Sequence, residues 1–162
     1  MFYERVFSEL NKEGVRYVVI GGIALNLHGV PRATADLDLA VEIEEKNLEK
    51  IAAALKRIGF VPRLPVEFKD FSNLGTLEKW RREKKMLAFT FWNPKKSFEE
   101  IDILIDSPVD FEEIDKAKEV IKAKNISIPL VSLDHLIKLK EKSGRAQDEA
   151  DIKSLEKIKN MR

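Results

Sequence analysis

The chain has 162 residues, a formal net charge of +1, 44% hydrophobic and 35% charged residues, two histidines and no cysteine. A length like this makes one domain with room for a core, and the near-zero charge gives no bulk attraction to nucleic acid or a membrane surface. The residue counts exclude disulfides, thiolate catalysis, cysteine–zinc sites and multi-histidine metal centres.

In chain order, Phe2, Val6, Phe7 and Leu10 fall at helical spacing over residues 3–13, and Gly14 stops the helix. Arg16 to Ile20 reads as a short buried strand, Gly22 to His28 as a helix, and Val30 to Thr34 as a loop, because Pro31 disfavours helix at Val30. Asp36 to Ile43 alternates cleanly and reads as a strand; Glu44 to Ile58 reads as a helix with Gly59 as its stop. Between 60 and 85, Val66 to Phe68 is expected to be a short strand and Leu77 to Lys85 a short basic helix. Met86 to Trp92 and Glu100 to Ile105 form a hairpin around the turn Asn93 to Lys96. Asp110 is expected to cap a helix running to about Lys122, with Glu113 returning the hydrogen bond. Asn125 to Val131 reads as a strand, Ser132 as the cap of the next helix, and Ser143-Gly144 as the break before a last helix carrying Ile152, Leu155 and Ile158. There is no internal repeat or composition shift, so residues 1–162 are expected to form a single α+β domain with helices packed on a mixed sheet. No apolar run reaches membrane-span length, and the first five residues lack the layout of a signal peptide. A cytoplasmic protein is expected, with no membrane partner. The Lys/Glu bias, with Gln147 the one glutamine, resembles a thermophile composition.

Chemistry concentrates in one stretch. Asp36 and Asp38 sit at period 2, so a strand sends both to one face while Leu37, Leu39 and Val41 take the other. Adjacent carboxylates repel, a cost that a hard divalent cation offsets. Gly21 and Gly22, upstream, leave the backbone bare for a phosphate. Asp102, on the polar face of an otherwise apolar strand, is the natural third acid; an acid there is also a common solvated residue. Other phosphate chemistries lack their motifs: there is no Gly-x-x-x-x-Gly-Lys-Ser/Thr loop, kinase signature set or His-Glu-x-x-His. His28 reads as structural and His135 as a surface residue. The run Arg81-Arg82-Glu83-Lys84-Lys85, beside Trp80 and Trp92, reads as a solvated helix face or a nucleic-acid contact.

From Val18 to Val41 the chain resembles the DNA polymerase β-like nucleotidyltransferase superfamily: a glycine pair, a spacer of about a dozen residues, acid-x-acid in a strand, and a third acid on a later strand. It is similar in particular to small bacterial and archaeal members related to abortive-infection toxins. Their Arg-x-Thr-x-Asp-x-Asp run is matched by Arg32, Thr34, Asp36 and Asp38, and their C-terminal Lys…Arg…Asp stretch is resembled by Lys138, Arg145, Asp148 and Asp151. The resemblance implies a nucleotidyltransferase-like mixed sheet flanked by helices, with a catalytic core over about 14–131 and C-terminal helices over about 132–160. It implies catalysis by Asp36, Asp38 and Asp102, which would also bind Mg²⁺, with Mn²⁺ as a substitute. Nucleotide would bind at Gly21, Gly22, Arg32, Thr34, Lys138 and Arg145. Arg32 and Thr34 read equally as an exposed loop pair, and Lys138 and Arg145 as a solvated helix face paired with Asp148 or Asp151. The implied reaction moves NMP from an NTP to a hydroxyl on tRNA, a protein or a small molecule, with a partner protein or a homodimer completing the site. A reading of a different class is a non-catalytic nucleotide- or partner-binding module of a toxin–antitoxin-type pair.

Overall fold

A computed structural model describes residues 2–162. The elements run α1 (Phe2–Glu13), β1 (Tyr17–Ile20), α2 (Gly21–Leu27), β2 (Leu37–Val41), α3 (Glu45–Arg57), β3 (Val61–Pro62), α4 (Phe68–Phe71), α5 (Leu74–Lys84), β4 (Ala88–Asn93), β5 (Lys96–Leu104), α6 (Phe111–Ala117), β6 (Glu119–Ala123), β7 (Ile126–Leu130), α7 (Leu133–Ser143) and α8 (Ala146–Met161). The strands form one mixed sheet in the order β3-β4-β5-β2-β1-β7-β6. β2 runs antiparallel to β1 and parallel to β5. This is the expected α+β architecture, including the C-terminal helices.

β1 lies near the centre, buried along its whole length, which is why Tyr17-Val18-Val19-Ile20 carries no polar alternation. The side chain of Asn47, buried at the start of α3, accepts from the Arg16 N–H at 2.8 Å and donates to Glu42 O at 2.9 Å. It thereby joins the ends of β1 and β2. One sheet face carries the aromatic core, where Phe71 from α4 sits 4.9 Å from Phe89 and 5.0 Å from Phe91 between ring centroids. Burying rings of this size accounts for much of the driving force for closing the edge of the sheet.

Two expected elements differ. The strand expected at Val66 to Phe68 is absent. Val61–Pro62 pairs with β4 instead, and Phe68 opens a helical turn in which Glu67 and Asp70 cap each other. Phe68 and Phe71, three apart, turn toward Phe91, so helical spacing prevails over a two-residue alternation. The helix expected from Asp110 to Lys122 stops at Ala117. Lys118 turns extended (ψ 151°), and residues 119–123 form β6 against β7. The hairpin closes at Lys124 and Asn125, both with positive φ (51° and 67°), the geometry of a tight two-residue turn. β-branched Val120 and Ile121 suit that strand. Asp110 makes no side-chain cap, and Glu113 is not its reciprocal partner: Glu113 Oε2 meets His135 Nε2 at 2.8 Å. His135, expected at the surface, is half-buried, its side chain 12% exposed.

Candidate active site

The site grows from register. Asp38 on β2 stands directly beside Asp102 on β5, and Asp102 beside Thr90 on β4. With alternation, the open sheet face reads as three rows of side chains about 7 Å apart. The first holds Ala88 and Leu104, the second Thr90, Asp102 and Asp38, the third Trp92 and Glu100 with Asp36 just ahead of β2. The opposite-facing Phe89, Phe91, Ile101 and Ile103 are all core.

Burial, then repulsion from Asp102 and Asp36, pushes the Asp38 carboxyl up to about 7; the Lys140 charge opposes this. Burial, then Asp102, also raises Asp36, which is less enclosed and is relieved by Arg63. The Thr90 hydroxyl donates to Asp102 Oδ1 at 2.5 Å and fixes that carboxylate. Among the described residues no three His, Asp or Glu side chains form a closed metal cluster. The acids stand as an in-register pair with Asp36 at its flank. Two carboxylates from a rigid sheet, each a hard oxygen donor, suit a cation that keeps part of its water shell, as Mg²⁺ does.

The glycine pair is built against these acids. Gly21 has φ +72°, and a Cβ there would lie 2.1 Å from Asp38 Oδ2. A Cβ on Gly22 would lie 2.7 Å from Thr34 Oγ1 and 2.9 Å from Thr34 Cβ. The glycines and the Thr-x-Asp-x-Asp run are thus two sides of one contact. Gly21→Ala is expected to cost about 3 kcal/mol or more, from left-handed backbone strain plus the displaced Asp38. A thermal melt followed by circular dichroism checks this, and an unchanged midpoint would refute the contact. Gly22→Val meets Thr34 rather than open solvent, so it disturbs the loop as well as any phosphate approach.

α7 and α8 close the other wall. A cleft of about 650 Å³ opens between Gly21, Asp38 and Asp102 on one side and Leu136, Leu139, Lys140, Lys142, Ser143 and Arg145 on the other, with Leu87, Leu104 and Pro108 as apolar lining. Two other depressions, of about 610 and 730 Å³ beside α4, include neither Asp38 nor Asp102 nor any residue of α7 and α8. Of the residues singled out in the sequence, Gly21, Asp38, Asp102 and Arg145 line the cleft, while Asp36 lies one row outside it. Thr34 packs on Gly22, and Arg32 pairs with Asp151. Lys138 points elsewhere, with its Nζ 3.6 Å from Glu113.

Lys140 occupies the cleft in its place. A two-residue step on a helix turns a side chain by about 200°. Lys140 is 7% exposed, held by Asp151 at 3.1 Å and Asp148 at 3.4 Å. Burial would raise the Asp148 carboxyl, but bonds from Ser143 and the Arg145 N–H, with the Lys140 charge, hold it low. The same Asp151 oxygen receives Arg32, so one carboxylate ties the loop before Asp36 to the cleft lysine. The sequence carried a signal for Lys140: with Leu133, Leu136 and Ile137 it completes the inward stripe at i, i+3, i+4, i+7. Thr90 was equally within reach, since the expected hairpin sets it opposite Asp102. His28 is structural, as its Nε2 meets Val131 O at 2.7 Å. Arg81, Arg82, Glu83, Lys84 and Lys85 are all solvent-exposed.

The comparisons with known proteins agree with this layout. The fold is shared with TM1012 from Thermotoga maritima, named as a candidate nucleotidyltransferase (18% identity, TM-score 0.59, covering 99% of this chain and 92% of that one). It is shared also with the lincosamide antibiotic adenylyltransferase LnuA, bound to lincomycin (16%, 0.59, 97% and 94%), and with ANT(2")-Ia in complex with adenylyl-2"-tobramycin (11%, 0.56, 98% and 91%). No curated protein matches the sequence. No helix among the described residues is long and apolar enough to cross a membrane. The profile of the nucleotidyl transferase AbiEii toxin family, of the type IV toxin–antitoxin system, matches residues 6–140, which hold the glycine pair, all three aspartates and Lys140. With that match across most of its length, the chain belongs to the AbiEii nucleotidyltransferase toxin family and is a nucleotidyltransferase.

Proposed function

We propose that the protein moves NMP from an NTP to a hydroxyl acceptor, releasing pyrophosphate, with Mg²⁺ as its cofactor and Mn²⁺ as a substitute. The observation that carries this reading is the half-buried Asp38–Asp102 pair facing Lys140, Lys142 and Arg145 across one cleft. Asp38 and Asp102, with Asp36 at their flank, would hold the cation. When bound, it neutralises the triphosphate and stabilises charge developing at the α-phosphorus. Gly21 keeps the floor of the cleft clear. Lys140, Lys142 and Arg145 supply positive charge for the phosphates, and the apolar lining takes the base. Arg32 and Thr34 hold the loop in place rather than reaching the phosphates directly. The acceptor hydroxyl oxygen bonds to the α-phosphorus, the bridging α–β P–O bond breaks, pyrophosphate leaves, and the proton passes to Asp102. The acceptor is a tRNA, a protein or a small molecule, and the family's toxin–antitoxin setting argues for a partner protein.

Label from α-labelled NTP should reach an acceptor in a cell extract, while γ-label leaves as pyrophosphate. Transfer of γ-label would make the protein a kinase. Metal-dependent NTP binding without any transfer would select the non-catalytic binding module.

A further inference from the structure

The third row of the open face, Trp92 and Glu100 with Asp36 ahead of β2, lies just beyond the acids, on the side away from the cleft. Arg63, which follows β3, completes it. The Arg63 N–H donates to Thr90 O at 2.9 Å, which pins the backbone beside the second row. Its guanidinium carbon sits 4.5 Å from the Trp92 ring centroid, and its Nη1 is 2.5 Å from Glu100 Oε1. Stacking and ion pairing together hold the guanidinium plane in one orientation. The Arg63 side chain is still 48% exposed. Next along β5 on the same face is Phe98, 65% exposed. None of these residues lines the cleft. A phosphoryl group poised over the second row, with its leaving group on the cleft side, is attacked in line from the third-row side.

The geometry points to Arg63 and Trp92 as the acceptor subsite, a stacking platform for a nucleobase carried next to the attacking hydroxyl. This rests on the transferase reading above. Guanidinium planes and aromatic rings are the surfaces on which unpaired bases stack. A sugar ring would need an open aromatic face, and Arg63 covers one face of Trp92. The base comes from a free nucleoside or from the end of a single-stranded polynucleotide. Lys95 and Lys96, exposed at the β4–β5 turn, bear on the second source alone.

Trp92 is a built-in reporter, because the other tryptophan, Trp80, is buried and stacked on Phe89. In the full chain, adenosine and the oligonucleotide r(A)₄ are titrated with tryptophan fluorescence as readout, and Trp92→Phe serves as the control that removes the signal. Saturable quenching is expected from r(A)₄, from adenosine or from both. Arg63→Leu, and equally Arg63→Lys, which keeps the charge but loses the plane, should weaken it about tenfold or more. Lys95→Ala with Lys96→Ala should weaken r(A)₄ alone. Mg²⁺–NTP affinity should not change in Arg63→Lys, which keeps the charge beside Asp36, or in the Lys95→Ala/Lys96→Ala variant. Wild-type affinity in Arg63→Lys, or quenching by tobramycin but by neither adenine ligand, would overturn the subsite. Absence of Mg²⁺–NTP binding with intact nucleobase quenching would overturn the transferase reading and leave Arg63 and Trp92 as a nucleobase-binding surface without an acceptor role.

Discussion

Asp38→Asn is expected to lower nucleotidyl transfer by about 10³-fold or more while making the metal-free protein more stable at neutral and alkaline pH. The activity loss follows from removing the most enclosed of the proposed cation ligands, on which charge stabilisation at the α-phosphorus would depend. The stability gain follows from the sign of the shift. The Asp38 carboxyl has its ordinary value of 3.8 when unfolded and is raised to about 7 when folded. The folded state therefore binds this proton more tightly. For this group, stability is highest below about pH 4, declines as pH rises toward 7, and is flat above. At pH 8 the ionised, repelled carboxylate costs on the order of several kcal/mol, and asparagine does not ionise. Urea denaturation at pH 5 and pH 8 checks this: the wild type should lose stability at the higher pH, and the variant should not. Cation binding should strengthen over the same window, because the cation replaces a proton. A variant destabilised at pH 8 would contradict the picture of two crowded acids.

Lys140→Met is expected to be the most damaging change to the helical wall. Two buried carboxylates, Asp148 and Asp151, share this ammonium. Removing it leaves both short of a partner, at a cost of about 3–5 kcal/mol. Transfer should fall as well, because the same side chain lines the cleft. The two effects separate in the double variant Lys140→Met/Asp151→Asn, in which part of the stability returns but transfer does not. Recovery of both would make Lys140 purely structural.

The elements that were legible in the sequence are those with long, one-period patterns. α1, α3 and α7 declared themselves by apolar stripes, and β2 by alternation that placed Asp36 and Asp38 on the face opposite Leu37 and Leu39. Two elements were misread for local reasons. In the segment around Phe68, two rings three apart fit a helical turn as well as a strand edge. After Ala117, the charged run offered no glycine or proline to mark the helix end; the stop lies in the extended backbone of Lys118 and in a turn made by Lys124 and Asn125 without glycine. In the site, local spacing sufficed for the acids but not for the cations. Lys138 and Lys140 look alike in a charged helix, and only the inward stripe separates them. Arg63 was hidden for a different reason. It stands outside every motif, and strand pairing across the sheet brings it beside Trp92 and Glu100.

The bond between Arg32 and Asp151 spans 119 positions of the chain, and Lys140 is locked by the same residue. The sheet with its acids is encoded well before α8. Without α8 in place, the acids of the sheet would face a lysine with no carboxylate to hold it. The positive wall of the cleft is thus only as firm as the docking of α8 against α7.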